Sequence, residues 1–75
     1  MSETLLFAIG DKFRTVRRYR NIGQSELCEK LGISRQHLSN IERGKQPASI
    51  VLLAQLADAL GCELIVNLKL KELVT

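Results

Sequence analysis

Four residues between positions 35 and 40 carry side chains able to make paired hydrogen bonds: Arg35, Gln36, Ser39 and Asn40. Arg offers a planar fork that fits guanine O6 and N7. Gln and Asn each set a donor beside an acceptor, the pattern that adenine N6 and N7 require. On a helix these four share an outer face, away from Leu38 and Ile41. A purely solvated helix more often carries Glu, Lys and Ala there. Charge along the chain is uneven. The 75 residues have a net charge of +3 and a pI of about 9.2. Residues 1–20 hold Lys12, Arg14, Arg17, Arg18 and Arg20 against Glu3 and Asp11, a balance of +3. Residues 34–48 hold Arg35, Arg43 and Lys45 against Glu42, a balance of +2. Residues 21–33 and 49–75 each come to −1. Cationic charge gathered this way suits phosphate, with a solvated surface as the alternative reading.

Other chemistries lack their parts. The chain has one histidine, His37, and two well-separated cysteines, Cys28 and Cys62. A Cys/His zinc site needs about four closely spaced ligands, so no metal is expected. No Ser, Cys or His lies where a base–nucleophile pair can be read, and no glycine-rich phosphate loop is present. An enzyme is therefore not expected, nor a cofactor. No run of about 18 apolar residues exists, so no transmembrane helix is expected. The first residues lack a basic-then-apolar signal pattern. Two scattered cysteines fit a reducing cytoplasm, where they serve as small core residues.

The chain is 45% hydrophobic and 25% charged, an ordinary globular composition. A domain this short buries only roughly 60% of its unfolded surface, so oligomerisation is an expected support. Asn21–Gly23, Gly32, Gly44–Pro47 and Gly61 cut it into pieces of helical length. The first piece, about 4–20, places Leu6, Ile9, Phe13 and Val16 on one face. The second, 24–31, carries Leu27, Cys28 and Leu31, and Gly32 stops it. Ser34 caps a third helix bearing Leu38 and Ile41, which Gly44 ends. Ser49 caps a fourth, with Ile50, Leu53, Leu56, Ala57 and Leu60, which Gly61 ends. Two short helices joined by a tight glycine-containing turn have helix-turn-helix spacing, which frees the outer face of the second for a major groove.

After Gly61 the period changes. Leu64, Val66, Leu68 and Leu70 alternate with Glu63, Ile65, Asn67 and Lys69. Period two predicts a strand over about 63–70. A helix over 62–73 is the competing reading, since Leu64, Ile65 and Leu68 can share a face. A lone strand needs a partner, and the simplest one is the same strand of a second copy.

The stretch IGDKFRTVRRYRNIGQSELCEKLGISRQHLSNIERGKQPASIVLLAQLADALG, residues 9–61 and about 70% of the chain, resembles the Xre/Cro helix-turn-helix family, the lambda-repressor-like fold. The resemblance rests on a series in register: Ile9–Gly10, Val16–Arg17, Gln24, Glu26–Leu27, Gly32–Ile33–Ser34, Leu38–Ser39 and Ile41–Glu42–Arg43–Gly44. It implies a mainly α bundle of four helices as a DNA-binding domain over 1–61, and the alternation beyond it makes 62–75 the expected dimerisation strand and tail. It also implies that Ser34, Arg35, Gln36 and Asn40 are base-reading positions, joined by Ser39 on the same face. Gln24, with the backbone N–H groups around Gly23 and Ser25, then matches a phosphate-holding helix start, and Arg43 and Lys45 match positions near phosphates. Gly23 departs from the Ser or Thr usual there, which leaves backbone N–H to serve alone. His37 is either a surface imidazole or a phosphate contact that strengthens below about pH 6.5. Arg17 and Glu42 match a pair that often forms a salt bridge; a phosphate contact is the other role open to Arg17.

The family resemblance implies a bacterial or phage protein that binds double-stranded DNA as a homodimer and represses transcription. The alternating tail resembles the HipB-like antitoxin branch, which implies autoregulation and a HipA-like kinase toxin as partner. A phage-type repressor or a restriction-system controller protein without a toxin is the alternative. An interaction role would use the outer strand face and the side of helix four near Val51, Gln55 and Asp58.

Overall fold

The computed structural model describes residues 3–71. Four helices follow one another: α1 Glu3–Tyr19, α2 Gln24–Leu31, α3 Arg35–Glu42 and α4 Ile50–Ala59. Each begins and ends within about one residue of its predicted bounds. The caps explain that agreement. Ser34 Oγ accepts from His37 N at 3.0 Å, and Ser49 Oγ accepts from Leu52 N at 3.1 Å. Gly23 gives α2 no side-chain cap.

Three helices end in the same hydrogen-bonded turn. After α1, Asn21 N donates to Arg18 O and Ile22 N to Arg17 O. After α3, Gly44 N donates to Ile41 O and Lys45 N to Asn40 O. After α4, Gly61 N donates to Asp58 O and Cys62 N to Ala57 O. These are Schellman closures, each with one left-handed residue satisfying the last carbonyls. At Asn21, with φ 60°, that residue is not glycine. Asn tolerates the conformation better than other side chains do.

Leu27, Cys28, Leu38, Leu56 and Leu60 form the buried centre, and Phe13, Val16, Ile22, Leu31 and Ile33 pack against it. Helix α3 packs on both α1 and α2, and α2 also packs on α4. The α1–α3 crossing is tight enough to exclude a side chain. A Cβ on Gly10 would run into Ile41 O and lie 2.8 Å from Glu42 O. Gly44 closes the other end of this contact. With φ 72° it takes the turn out of α3, and a Cβ there would stand 2.6 Å from Phe7 Cα. Ile50, expected among the apolar positions of α4, is instead exposed.

The strand expected to pair with a second copy is not seen in the single chain. Residues 62–71 form neither the strand predicted over 63–70 nor, as far as they extend, the competing helix over 62–73, whose last two residues lie outside the described range. The physical reason is the ladder. A strand needs a second strand, and among the described residues this chain has none. Of the proposed dimerisation residues, Leu64 is half-buried against the helices, whereas Val66, Leu68 and Leu70 are 67%, 93% and 95% exposed.

Two expected outcomes follow from the packing. Gly10→Ala should lower stability by about 1–3 kcal/mol, the usual cost of overpacking. Gly23→Ser, where nothing lies within 4 Å of the added Cβ, should gain a few tenths of a kcal/mol through capping. Thermal melts followed by circular dichroism compare the two; an unchanged Gly10→Ala midpoint would mean that α1 and α3 separate freely.

Candidate nucleic-acid interface

The site is built from the inside outward. Arg17 on α1 and Glu42 at the end of α3 are 8% and 2% exposed. Arg17 Nε donates to Glu42 Oε2 at 2.7 Å, and Nη2 donates to Oε1 at 3.1 Å. Nη1 donates to Ile22 O at 2.8 Å, in the connection to α2. Gln24 Nε2, at the start of α2, donates to Glu42 Oε1 at 3.1 Å. One buried bidentate pair therefore holds three helices and one turn. The predicted salt bridge is present. Gln24, predicted to hold a phosphate, spends an amide N–H on Glu42.

Around this pair opens a polar cleft of about 520 Å³. Arg14 and Arg18 line it from α1, Gly23, Gln24 and Ser25 from the start of α2, and Arg35, Ser39 and Arg43 from α3 and its end. Glu42 is the single acid in its wall, and Arg17 already neutralises it. Arg14 Nη2 also meets Asp11 Oδ1 at 2.8 Å, which steadies it on α1. The first N–H groups of α2 have no intrahelical acceptor and no side-chain cap. Cationic side chains and unsatisfied N–H groups together make an anion-binding surface.

Helix α3 presents its outer face beside the cleft. Ser34, Arg35 and Gln36 are exposed, and Ser39, Asn40 and His37 are half-buried. Arg43 and Lys45 are exposed just beyond the helix. The predicted base-reading and phosphate residues thus gather on one side of the molecule. Sequence reasoning missed two things. Arg14 and Arg18 were seen only as charge, although their i, i+4 spacing places both on the cleft side of α1. Gln46 was not singled out. Its side chain accepts from Asn40 Nδ2 at 3.2 Å and lies 3.3 Å from His37 Nδ1. No local signal marks it, because the turn at Gly44 places it.

The remaining reactive groups are quiet. Burial pushes the Cys28 thiol above its ordinary range; Arg35 opposes this, Glu42 adds to it and Arg17 opposes it. A protonated, buried thiol is a packing group and a poor nucleophile. Among the described residues, no three His, Cys, Asp or Glu side chains converge as a metal site, and no helix is long and apolar enough to cross a membrane. Val51, Gln55 and Asp58 are exposed on α4.

Removing either half of the central pair should be costly. Arg17→Met or Glu42→Leu alone is expected to destabilise by about 3–5 kcal/mol, since each leaves a buried charge unpaired. The double replacement should recover most of that loss. Urea titrations of the four proteins close the cycle; additive losses would mean that the pair is not coupled.

Comparison with known proteins places this geometry. The family model described as helix-turn-helix matches residues 13–66. An uncharacterized HTH-type transcriptional regulator, y4dJ, of Sinorhizobium fredii is 38% identical over 53 residues, which is 71% of this chain and 69% of that protein. The immunity repressor protein of Bacillus phage phi105 is 34% identical over 55 residues, which is 73% of this chain but 38% of the repressor. The crystal structure of the clp gene regulator ClgR from C. glutamicum superposes with a TM-score of 0.76 at 36% identity, covering 79% of this chain and 76% of that one. The restriction-modification controller protein C.AhdI from Aeromonas hydrophila gives a TM-score of 0.76 at 30% identity, covering 80% and 91%. With the helix-turn-helix model matched over residues 13–66 and regulators of this kind among its relatives, the chain belongs to the Xre/Cro-type helix-turn-helix family.

Proposed function

We propose that this protein is a sequence-specific DNA-binding transcriptional repressor that acts as a homodimer on a palindromic operator. The observation that carries the reading is the outer face of α3, with its arginine-lined cleft and the open N–H groups of α2 beside it. Arg35, Gln36, Ser39 and Asn40, with Ser34 at the helix start, read base edges in a major groove. Gly23, Gln24 and Ser25 hold one phosphate, and Arg43, Lys45 and His37 hold the backbone nearby. Two copies set their recognition helices about 34–36 Å apart, one turn of the duplex. Repression then needs only occupancy of a promoter, with no chemistry.

The tail completes the dimer in this reading. Val66, Leu68 and Leu70 stand in solvent on the single chain, and pairing two tails covers them. A tail that forms no helix over 62–71 favours the HipB-like antitoxin branch, with autoregulation and a HipA-like kinase toxin. The similarity to a phage immunity repressor and to a restriction-modification controller favours a repressor without a toxin. Copurification of a kinase with the tagged protein from its native host separates the two.

The first test is a titration of the DNA upstream of the protein's own gene against a scrambled duplex, at two salt concentrations. Specific recognition is expected to favour the native duplex by about 10³-fold or more. Arg35→Ala should cost about 1–3 kcal/mol on the cognate site and relax one base pair. Lys45→Ala should weaken all duplexes alike and lower the salt slope by about one. Equal weakening of random DNA by Arg35→Ala would remove it from the reading set. For the tail, Leu68→Asp should turn a dimer into a monomer in sedimentation while the helical circular dichroism stays unchanged. A dimer that survives Leu68→Asp has its seam elsewhere.

A further inference from the structure

The outer face of α3 carries a relay of amides that runs into the following loop. Gln36 Nε2 donates to Asn40 Oδ1 at 3.2 Å. Asn40 Nδ2 donates to Gln46 Oε1 at 3.2 Å. His37 Nδ1 stands 3.3 Å from the same Gln46 oxygen, which accepts from it when the ring proton sits on Nδ1. The loop itself is pinned to this turn of helix. Lys45 N and Gln46 N both donate to Asn40 O, at 2.8 and 3.3 Å. Gln46 therefore grips Asn40 by backbone and by side chain.

Resting on the DNA-reading role proposed above, we infer that Gln46 is a positioning residue that fixes which edge Gln36 offers to a base pair. The two ends of an amide are different groups, so each contact dictates the next. A Gln46 oxygen turned toward α3 requires the Asn40 nitrogen to face the loop. The Asn40 oxygen then faces Gln36 and takes one of its N–H groups. Gln36 is left with one free N–H beside a free oxygen, the donor–acceptor order that fits adenine N7 and N6. Asn40 spends one N–H and one oxygen lone pair in the relay and keeps the others for a base edge, so the face it offers is fixed by the same contact. Losing the Gln46 oxygen frees Asn40 to turn over, and Gln36 turns with it. The selectivity of one base pair is thus set by a loop residue that need not touch DNA.

The experiment selects duplexes from a random library with the full-length protein and with Gln36→Met, Gln46→Met and Gln46→Glu. Gln36→Met identifies the base pair that loses its preference. Gln46→Met should reduce discrimination at that same pair by about fivefold or more, the low end of what one bidentate contact supplies. Discrimination elsewhere should be unchanged. Gln46→Glu keeps an acceptor facing Asn40 and His37, so it should retain the preference while weakening all duplexes through its charge. A thermal melt checks that Gln46→Met still folds, which its exposed position favours. In the free protein, the Asn40 side-chain N–H resonances should shift in Gln46→Met and stay in place in Gln46→Glu. The inference is overturned if Gln46→Met keeps full preference at the Gln36 pair or loses it evenly across the site. A wild-type protein that selects no sequence overturns the DNA-reading role itself, and this inference with it.

Discussion

The position of α3 depends on the buried contact between Arg17 and Glu42. Both charges are almost fully withdrawn from water, which is expensive unless every polar group finds a partner. Here the guanidinium is shared between the carboxylate and Ile22 O, and the carboxylate also receives Gln24. The partners come from α1, the turn after it, α2 and α3. A shift of any of these elements would leave a charge unpaired in the interior. The pair thereby penalises alternative docking angles more than it adds to stability, and the angle of α3 is what a groove would meet.

Around that fixed point the apolar core has a simpler duty. Leu27, Leu38 and Leu56 are buried to within 1% of full enclosure, and they make α2, α3 and α4 one body. Close packing leaves the short helices little freedom to slide. The arginines of the cleft are then carried on rigid elements, and their mutual repulsion is borne by the scaffold. The two halves of α3 divide the work: Leu38, Ile41 and Glu42 face inward, and the polar residues between them face out.

Much of this was legible in the chain because its signals are local. A serine cap and a left-handed stop each act within four residues, so Ser34, Ser49, Gly44 and Gly61 marked helix bounds directly. Apolar spacing located the inward faces. The Arg17–Glu42 pair was accessible only through the family resemblance, since residues 25 apart share no local pattern. Ile50 shows the limit of spacing: it lies at an apolar position of α4, yet no element among the described residues covers it. The tail shows the same limit more strongly. Its alternation records the faces that a strand would have, but a strand forms only against another strand, and the described residues supply none. Gln46 eluded the sequence for a related reason, because its neighbours are chosen by the direction in which the chain leaves α3.

The contact at Gly10 has a consequence for how such a molecule acquires new targets. There α1 meets α3 backbone against backbone, so no side chain acts as a spacer between the two helices. The separation is set by atoms that every residue has in common. The outer side chains of α3 can consequently be exchanged without compensating changes beneath them. Engineering a new specificity becomes a problem of a few surface positions and one adjoining loop, with the mounting left as it is.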